Sequence, residues 1–421
     1  MNQLWRHIVG VSAARIYSLS ISMLIMLVTA RILGPTSQGI LVASLTWVTL
    51  FANFSGFSIE QVVHFRIQLN RDTDWYPRIC GTLLLLGIFL STAAIVTGIF
   101  LQHFFATDLF RNIPPFVLSL GFGLLPLFIS EQYLSSLLAA ANRLQWYNVA
   151  QYAGRSLWLL LIAVFLFAFE FNVPLAITAQ LCGQSLLVVI AAVGLTRGNL
   201  HKLRFDFGEA KELLKGSAKL HLNSIGAFVL SQSAVLLLNH FCTPPEVAWY
   251  QVANQIVMAF LVIPYAASTV FFSRIAQSSP DVVWPEQKKI ILGVIMMIVI
   301  LSTIAFFAAP WVIPLILGSS YSPVVGIFRW LLPILLGLTL AQLMAPQWIS
   351  RGKFILTASI TSIAAVLNLM ANIFLIPRFH LMGAVWVSLF TYLGLTLLTQ
   401  LSFAWWCETK SRQQLDCRRR R

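Results

Sequence analysis

Charge is what this sequence has least of. Only 10% of the 421 residues are Asp, Glu, Lys or Arg, and Asp plus Glu number 14. An ordinary soluble domain carries about 25% charged residues. With 58% hydrophobic residues and a mean hydropathy of +0.81, the chain cannot hide its apolar surface in a water-soluble core. The composition predicts an all-α protein that lies mostly in a bilayer, where each spanning helix needs about 20 apolar residues. Other absences narrow the class. The five cysteines (Cys80, Cys182, Cys242, Cys407 and Cys417) form no C-x-x-C, so neither a metal site nor a structural disulfide is expected. No G-x-x-x-x-G-K-[ST] occurs, and no loop is long enough for a nucleotide-binding domain, which excludes ATP as a direct energy source within this chain. No large hydrophilic segment and no outer cluster of acids and histidines is present, so the chain is not expected to be an enzyme or to need a cofactor. No A-x-A-like cleavage site follows Met1–Arg6, and the first helix is expected to be retained.

What is there is a series of long apolar runs separated by short polar loops. Twelve helices are predicted, over 7–33, 39–65, 79–103, 114–140, 147–170, 174–196, 217–240, 246–272, 289–317, 323–350, 353–377 and 381–406. Basic residues orient them. Of the 28 Lys and Arg, Arg31, Arg111 and Arg378 fall on one side and Arg15, Arg155 and Arg329 within helices; all the others fall on the opposite side. That basic side is expected to be cytoplasmic, with both termini inside. The net charge of +14 then reflects topology, and nucleic acid is not an expected partner. The longest loop, 197–216, divides the chain into an N-terminal six-helix lobe (1–196) and a C-terminal one (217–406), followed by a basic tail (407–421). Its "FGEAKELLKGSAK" stretch reads as a short amphipathic surface helix, and the terminal "CRRRR" suits membrane lipids with anionic head groups.

Polar residues inside the helices carry the functional signal. Ser12, Arg15, Ser18 and Ser22 recur at helical spacing in the first helix, and Asn53, Gly56, Glu60 and His64 in the second. Glu131 and Ser135 lie in the fourth, Asn148, Gln151 and Arg155 in the fifth, and Ser217, His221, Ser224 and Ser231 in the seventh. Such stripes are expected to face a bundle interior or a wet cavity rather than lipid. Arg15 and Glu60 lie roughly 12 Å and 9 Å from the cytoplasmic ends of their helices at 1.5 Å per residue, and Glu131 and Arg155 fall at comparable depth. Two readings stay open for this set: ion pairs that lock the bundle, or a cavity that binds cargo and a coupling ion. Burial raises a carboxylate pKa and a neighbouring arginine lowers it, so Glu60, with Glu131 as alternate and His64 nearby, is the candidate for ion coupling.

Three segments carry a family resemblance. "ARILGPTSQG" (30–39), "EVAWYQVANQI" (246–256) and above all "LNLMANIFLIPRFHLMGA" (367–384) resemble motifs of the Wzx-type polysaccharide and O-antigen flippases, a branch of the multidrug/oligosaccharidyl-lipid/polysaccharide exporter superfamily. The similarity extends over essentially the whole chain. Ala248 stands where the family has Gly, Asn239 stands near a position that is often acidic, and the arginine tail is not a family feature. The resemblance implies a MATE-like fold of two six-helix lobes in the bacterial cytoplasmic (inner) membrane. It also implies an undecaprenyl-diphosphate-linked oligosaccharide as cargo, H⁺ or Na⁺ as coupling ion, and a polysaccharide polymerase and chain-length regulator as partners. Arg15, Arg155, Lys219 and His221 would meet the diphosphate, since arginine is its best bidentate partner. Asn53, Gln151, Asn254, Asn368 and Asn372 would give the cavity its polar wall. A cation-coupled multidrug exporter, or an exporter of another lipid intermediate, is the alternative within the same fold.

Overall fold

The computed structural model describes residues 3–69, 75–106, 108–141, 143–196 and 203–419; the side chains of Arg15, His64 and Lys219 lie outside the described set. The described chain is almost wholly helical. In order it forms α1 (Gln3–Ser55), α2 (Ile59–Leu69), α3 (Trp75–Phe105), α4 (Pro115–Phe122), α5 (Leu125–Ala140), α6 (Leu144–Ala168), α7 (Val173–Thr196), α8 (Phe207–Phe241), α9 (Pro244–Ala259), α10 (Val262–Gln277), α11 (Pro280–Leu317), α12 (Ser322–Leu331), α13 (Ile334–Ser350), α14 (Phe354–Leu389) and α15 (Leu397–Arg419). A single 3₁₀ turn, Ser319–Tyr321, precedes α12, and a π-helical stretch, Phe390–Thr396, joins α14 to α15. Among the described residues, eight helices are long and apolar enough to cross a membrane, or ten if each of two bent pairs, α9–α10 and α12–α13, makes one span. Large apolar side chains cover the outside, as with Phe167 at 94% exposure and Leu315 at 76%. Such a surface is stable only against lipid.

Two of these helices hide a turn. α1 passes through Gly34 at φ 70°, ψ 172°, a conformation favourable only to glycine, and restarts at Pro35. α14 passes through His380 at φ 48°, ψ −134°. The count of twelve predicted helices depends on treating each as two. The bends elsewhere follow proline. A proline lacks the N–H that would reach the carbonyl four residues earlier, and its ring crowds that carbonyl. Pro126 and Pro264 sit just beyond breaks at 123–124 and 260–261, and Pro333 lies in the break at 332–333. The helices predicted over 114–140, 246–272 and 323–350 are therefore each two pieces.

Two further expectations are corrected. The predicted helix 39–65 ends at Ser55, and Phe57 and Ser58 take φ of 53° and 51° before α2 begins. Asn53 and Gly56 therefore do not share one continuous helical face with Glu60. The "FGEAKELLKGSAK" segment is not a separate surface helix. Asp206 caps it by accepting from the Glu209 N–H at 3.1 Å, and it then runs without interruption into α8. Helix propagation costs less than a second nucleation once the cap is formed, so the amphipathic start joins the apolar helix behind it.

The chain divides into two compact units, Met1–Ala248 and Trp249–Arg421. In the first, α8 packs on α1, α2 and α3, and α6 packs along α7, their backbones meeting where Gly154 and Gly183 face one another. Arg66 pairs with Glu209 at 2.8 Å, tying α2 to α8. Arg143 Nη1 donates to the Gly194 and Leu195 carbonyls at 2.9 and 3.2 Å and closes the end of α7, where a cation also meets the negative helix terminus. In the second unit, α11, α13 and α15 are joined by Arg351, which donates to Asp281 at 2.6 Å and to Gln347 Oε1 at 3.1 Å, while Ser411 donates to the Asp281 carbonyl.

Candidate functional site

The site in the first unit is built on three elements with different reasons for being where they are. α5 starts afresh at Leu125 because of Pro126, which turns Glu131 and Gln132 towards α1 and α6. α6 carries Tyr147, Gln151 and Arg155 four residues apart, one above another on a single stripe. α7 brings Gln184 from the opposite side. Together they surround the Glu131 carboxylate. Its Oε1 accepts from Gln151 Nε2 at 2.7 Å and from the Tyr147 hydroxyl at 3.4 Å, and its Oε2 accepts from Gln184 Nε2. Gln151 then turns its other end outward, where Oε1 accepts from Arg155 Nε at 2.8 Å, and Arg155 Nη1 donates to Ser22 on α1. The result is one continuous polar line across four helices, Ser22–Arg155–Gln151–Glu131–Gln184. The acid and the base do not touch; a glutamine with both ends occupied holds them apart.

Beside this line opens a cavity of about 320 Å³, walled by Thr49, Asn53, Phe128, Glu131, Gln132, Ser135 and Tyr147. Asn53 donates to the Thr49 carbonyl at 2.8 Å, which leaves its amide oxygen for the cavity. Glu60 lies apart from the line. It is within electrostatic reach of Tyr133, whose hydroxyl donates to the Gly56 carbonyl at 2.9 Å. Glu60 Oε2 is buried and accepts no hydrogen bond from the described residues. Arg155 donates to Gln151 and Ser22 and makes no ion pair with Glu60 among the described residues.

His221 also stands away from Arg155. Its ring stacks on Phe57 at 4.7 Å and its Nδ1 lies 3.2 Å from Ser58 Oγ, so it fills the break between α1 and α2. In the second unit, Asn372 donates to Asn368 at 2.9 Å and Asn368 to Thr391 at 2.8 Å, a buried ladder between α14 and the π-helical stretch. Both asparagines are buried, and the ladder ends on the Thr391 side chain. Asn254 is half-buried on α9. Tyr147 and Gln184 are the residues sequence reasoning missed. The four-residue spacing Tyr147–Gln151–Arg155 was the available signal, in place of Asn148; Gln184, one amide in an apolar run, offered none.

An apolar helical shell around a half-buried acid, a half-buried base and a cavity is the arrangement of a multi-pass membrane protein. The model of the family described as "Polysaccharide biosynthesis protein" matches residues 4–279, and the chain belongs to that family. It is 24% identical over 216 residues to the "Probable low-salt glycan biosynthesis flippase Agl15" of Haloferax volcanii, a match spanning 50% of this chain and 46% of that protein. Among solved structures, the lipid II flippase MurJ in an inward closed conformation superposes with a TM-score of 0.72 at 11% identity, covering 94% of this chain and 91% of that one. An inward-facing multidrug resistance MATE family transporter of the MOP superfamily gives 0.67 at 15% identity, covering 94% and 95%. At that identity the likeness concerns the fold, which is the MATE-like one the sequence motifs imply.

Proposed function

We propose that this protein moves an undecaprenyl-diphosphate-linked oligosaccharide from the cytoplasmic to the outer leaflet of the bacterial inner membrane by alternating access, for O-antigen or similar surface polysaccharide, with H⁺ or Na⁺ as the coupling ion. The observation that carries this reading is the polar line from Ser22 to Gln184 beside the 320 Å³ cavity. A guanidinium held by Gln151 through Nε alone, with Nη1 on a neutral hydroxyl, keeps its charge available to an anionic head group, and Arg suits a diphosphate better than Lys does. Family membership and the glycan flippase named above support the substrate class. A multidrug exporter would favour acidic groups in its cavity without an arginine in the same line. Glu131 has hydrogen-bond donors at both of its oxygens. Glu60, with one oxygen buried and without a hydrogen bond, is the better candidate to take up and release the ion. Arg15 and Lys219 are assigned to the head group by the family resemblance.

The test is glycan display in cells lacking the native flippase. Arg155→Ala is expected to reach normal membrane levels and lose display, and Arg155→Lys to recover part of it. Normal display by Arg155→Ala would remove the head-group role. Failure of that variant to accumulate would make the line a structural brace.

A further inference from the structure

Arg329, on α12, takes no part in the site of the first unit. It lies in the second unit, in a groove of about 310 Å³ between α11 and the bend from α12 to α13. Apart from Arg329, Ser302 and Thr303, the lining is apolar, and it includes Ile298, Leu332 and Leu336. No acidic residue lines it. The arginine is there because of a proline. Pro310 has no N–H for the carbonyl four residues earlier, that of Phe306, and Arg329 Nε donates to this freed oxygen at 2.9 Å. The guanidinium lies over the Phe306 ring, 4.4 Å from its centroid. This fixes the head of the side chain but leaves Nη1 and Nη2 without a hydrogen-bond partner among the described residues.

The level of that head along α11 identifies what it meets. Lys288 and Lys289 mark the basic end of α11. Phe306 is 17 residues beyond Lys289. At 1.5 Å per residue this is roughly 25 Å, close to the far boundary of a hydrocarbon core about 30 Å thick. Trp311, one turn further and 73% exposed, and Trp330, 55% exposed, stand where aromatic residues anchor a helix at the interface. Ile298 and Val299 lie deeper by about two turns on α11, and Leu335 and Leu336 deeper on α13.

We propose that this groove holds one anionic phospholipid of the leaflet opposite the Lys288–Lys289 end, its phosphate on Arg329 Nη1 and Nη2 and one acyl chain descending along Val299, Pro333 and Leu336. Charge complementarity commits the occupant. A cation without a counter-charge at the edge of hydrocarbon recruits the nearest anion, and there that anion is a lipid phosphate. The geometry matches a phospholipid in order as well, with the charge near the interface and the apolar lining beneath it.

The experiment is native mass spectrometry of the full chain in detergent, titrated with phosphatidylglycerol or with phosphatidylcholine. The wild-type chain is expected to bind its first phosphatidylglycerol about tenfold more tightly than phosphatidylcholine, the order of one charge-assisted contact. Arg329→Ala should abolish that preference and Arg329→Lys should keep part of it. A preference unchanged in Arg329→Ala overturns the proposal. Because that variant also uncovers the Phe306 carbonyl, Arg329→Ala is repeated with Pro310→Ala, which restores the helical N–H. If the double variant regains the preference, the arginine is only a cap for the carbonyl and the lipid site is wrong. Val299→Trp, which fills the deep end from an exposed position and leaves Arg329 in place, should weaken both lipids, and unchanged binding by that variant also overturns the assignment.

Discussion

Glu60 and Glu131 are chemically the same group in opposite situations. Glu131 is surrounded by donors: Gln151 and Tyr147 at one oxygen, Gln184 at the other. Glu60 has one buried oxygen with no hydrogen bond. Their isosteric glutamines should therefore diverge. In Glu131→Gln the new NH₂ faces donors, leaving buried groups unsatisfied at a cost of about 1–3 kcal/mol. Glu60→Gln removes a poorly solvated charge and should unfold no earlier than wild type. Thermal unfolding of the two variants in lipid nanodiscs measures this directly, and a Glu60→Gln that unfolds well before Glu131→Gln would reverse the two roles. The same variant tests coupling. In proteoliposomes Glu60→Gln is expected to fold and bind substrate yet stop responding to an imposed ion gradient, and transport that still tracks the gradient would remove Glu60 from the mechanism.

At the scale of elements, the "GPTSQG" turn uses its two glycines differently. Gly34 supplies backbone: φ is 70°, and a Cβ there would meet nothing within 4 Å. Gly39 supplies closeness: a Cβ would lie 1.9 Å from the Pro244 carbonyl oxygen, where α1 passes the start of α9. Gly34→Ala is thus strained only through its backbone, by about 1–3 kcal/mol. Gly39→Ala must push two main chains apart and should cost more, since well-packed backbone has nowhere to move. Measured by the midpoint of thermal unfolding, Gly39→Ala is expected below Gly34→Ala; the reverse order would mean that α1 does not approach α9 this closely. The breaks at 123–124, 260–261 and 332–333 are legible in the prolines at or just after them. The break at 56–58 is not. It carries Phe57 and Ser58 at positive φ, which no propensity favours, and His221 from α8 fills it. A conformation held by a residue more than 160 positions away leaves no local trace.

For the molecule as a whole, orientation is the property most open to test. The distribution of Lys and Arg predicts both termini and the 197–216 segment in the cytoplasm. A reporter active only in the cytosol, fused after Leu200, should be active, as should one at the C-terminus. Activity of a periplasmic reporter after Leu200 would overturn the six-plus-six arrangement, and with it the assignment of Arg155 to the side where cargo loads.

Membrane class, helical content and family were decided by the sequence alone, because they rest on properties that need no partner. Hydropathy is summed along the chain, basic residues count by segment, and the motif at 367–384 marks a turn, which the chain makes at His380. Which polar residues work together was decided only by the tertiary structure. Helical spacing correctly put Gln151 and Arg155 on one stripe, yet it could not show that Gln184 and Ser22 complete the line from other helices. Nor could it separate Glu60 from Arg155, two residues it placed at one depth. Depth along a helix follows from residue number, but azimuth and partner follow from packing. In a bilayer the choice among partners turns on which buried groups satisfy one another, and that is settled only when all the helices are in place.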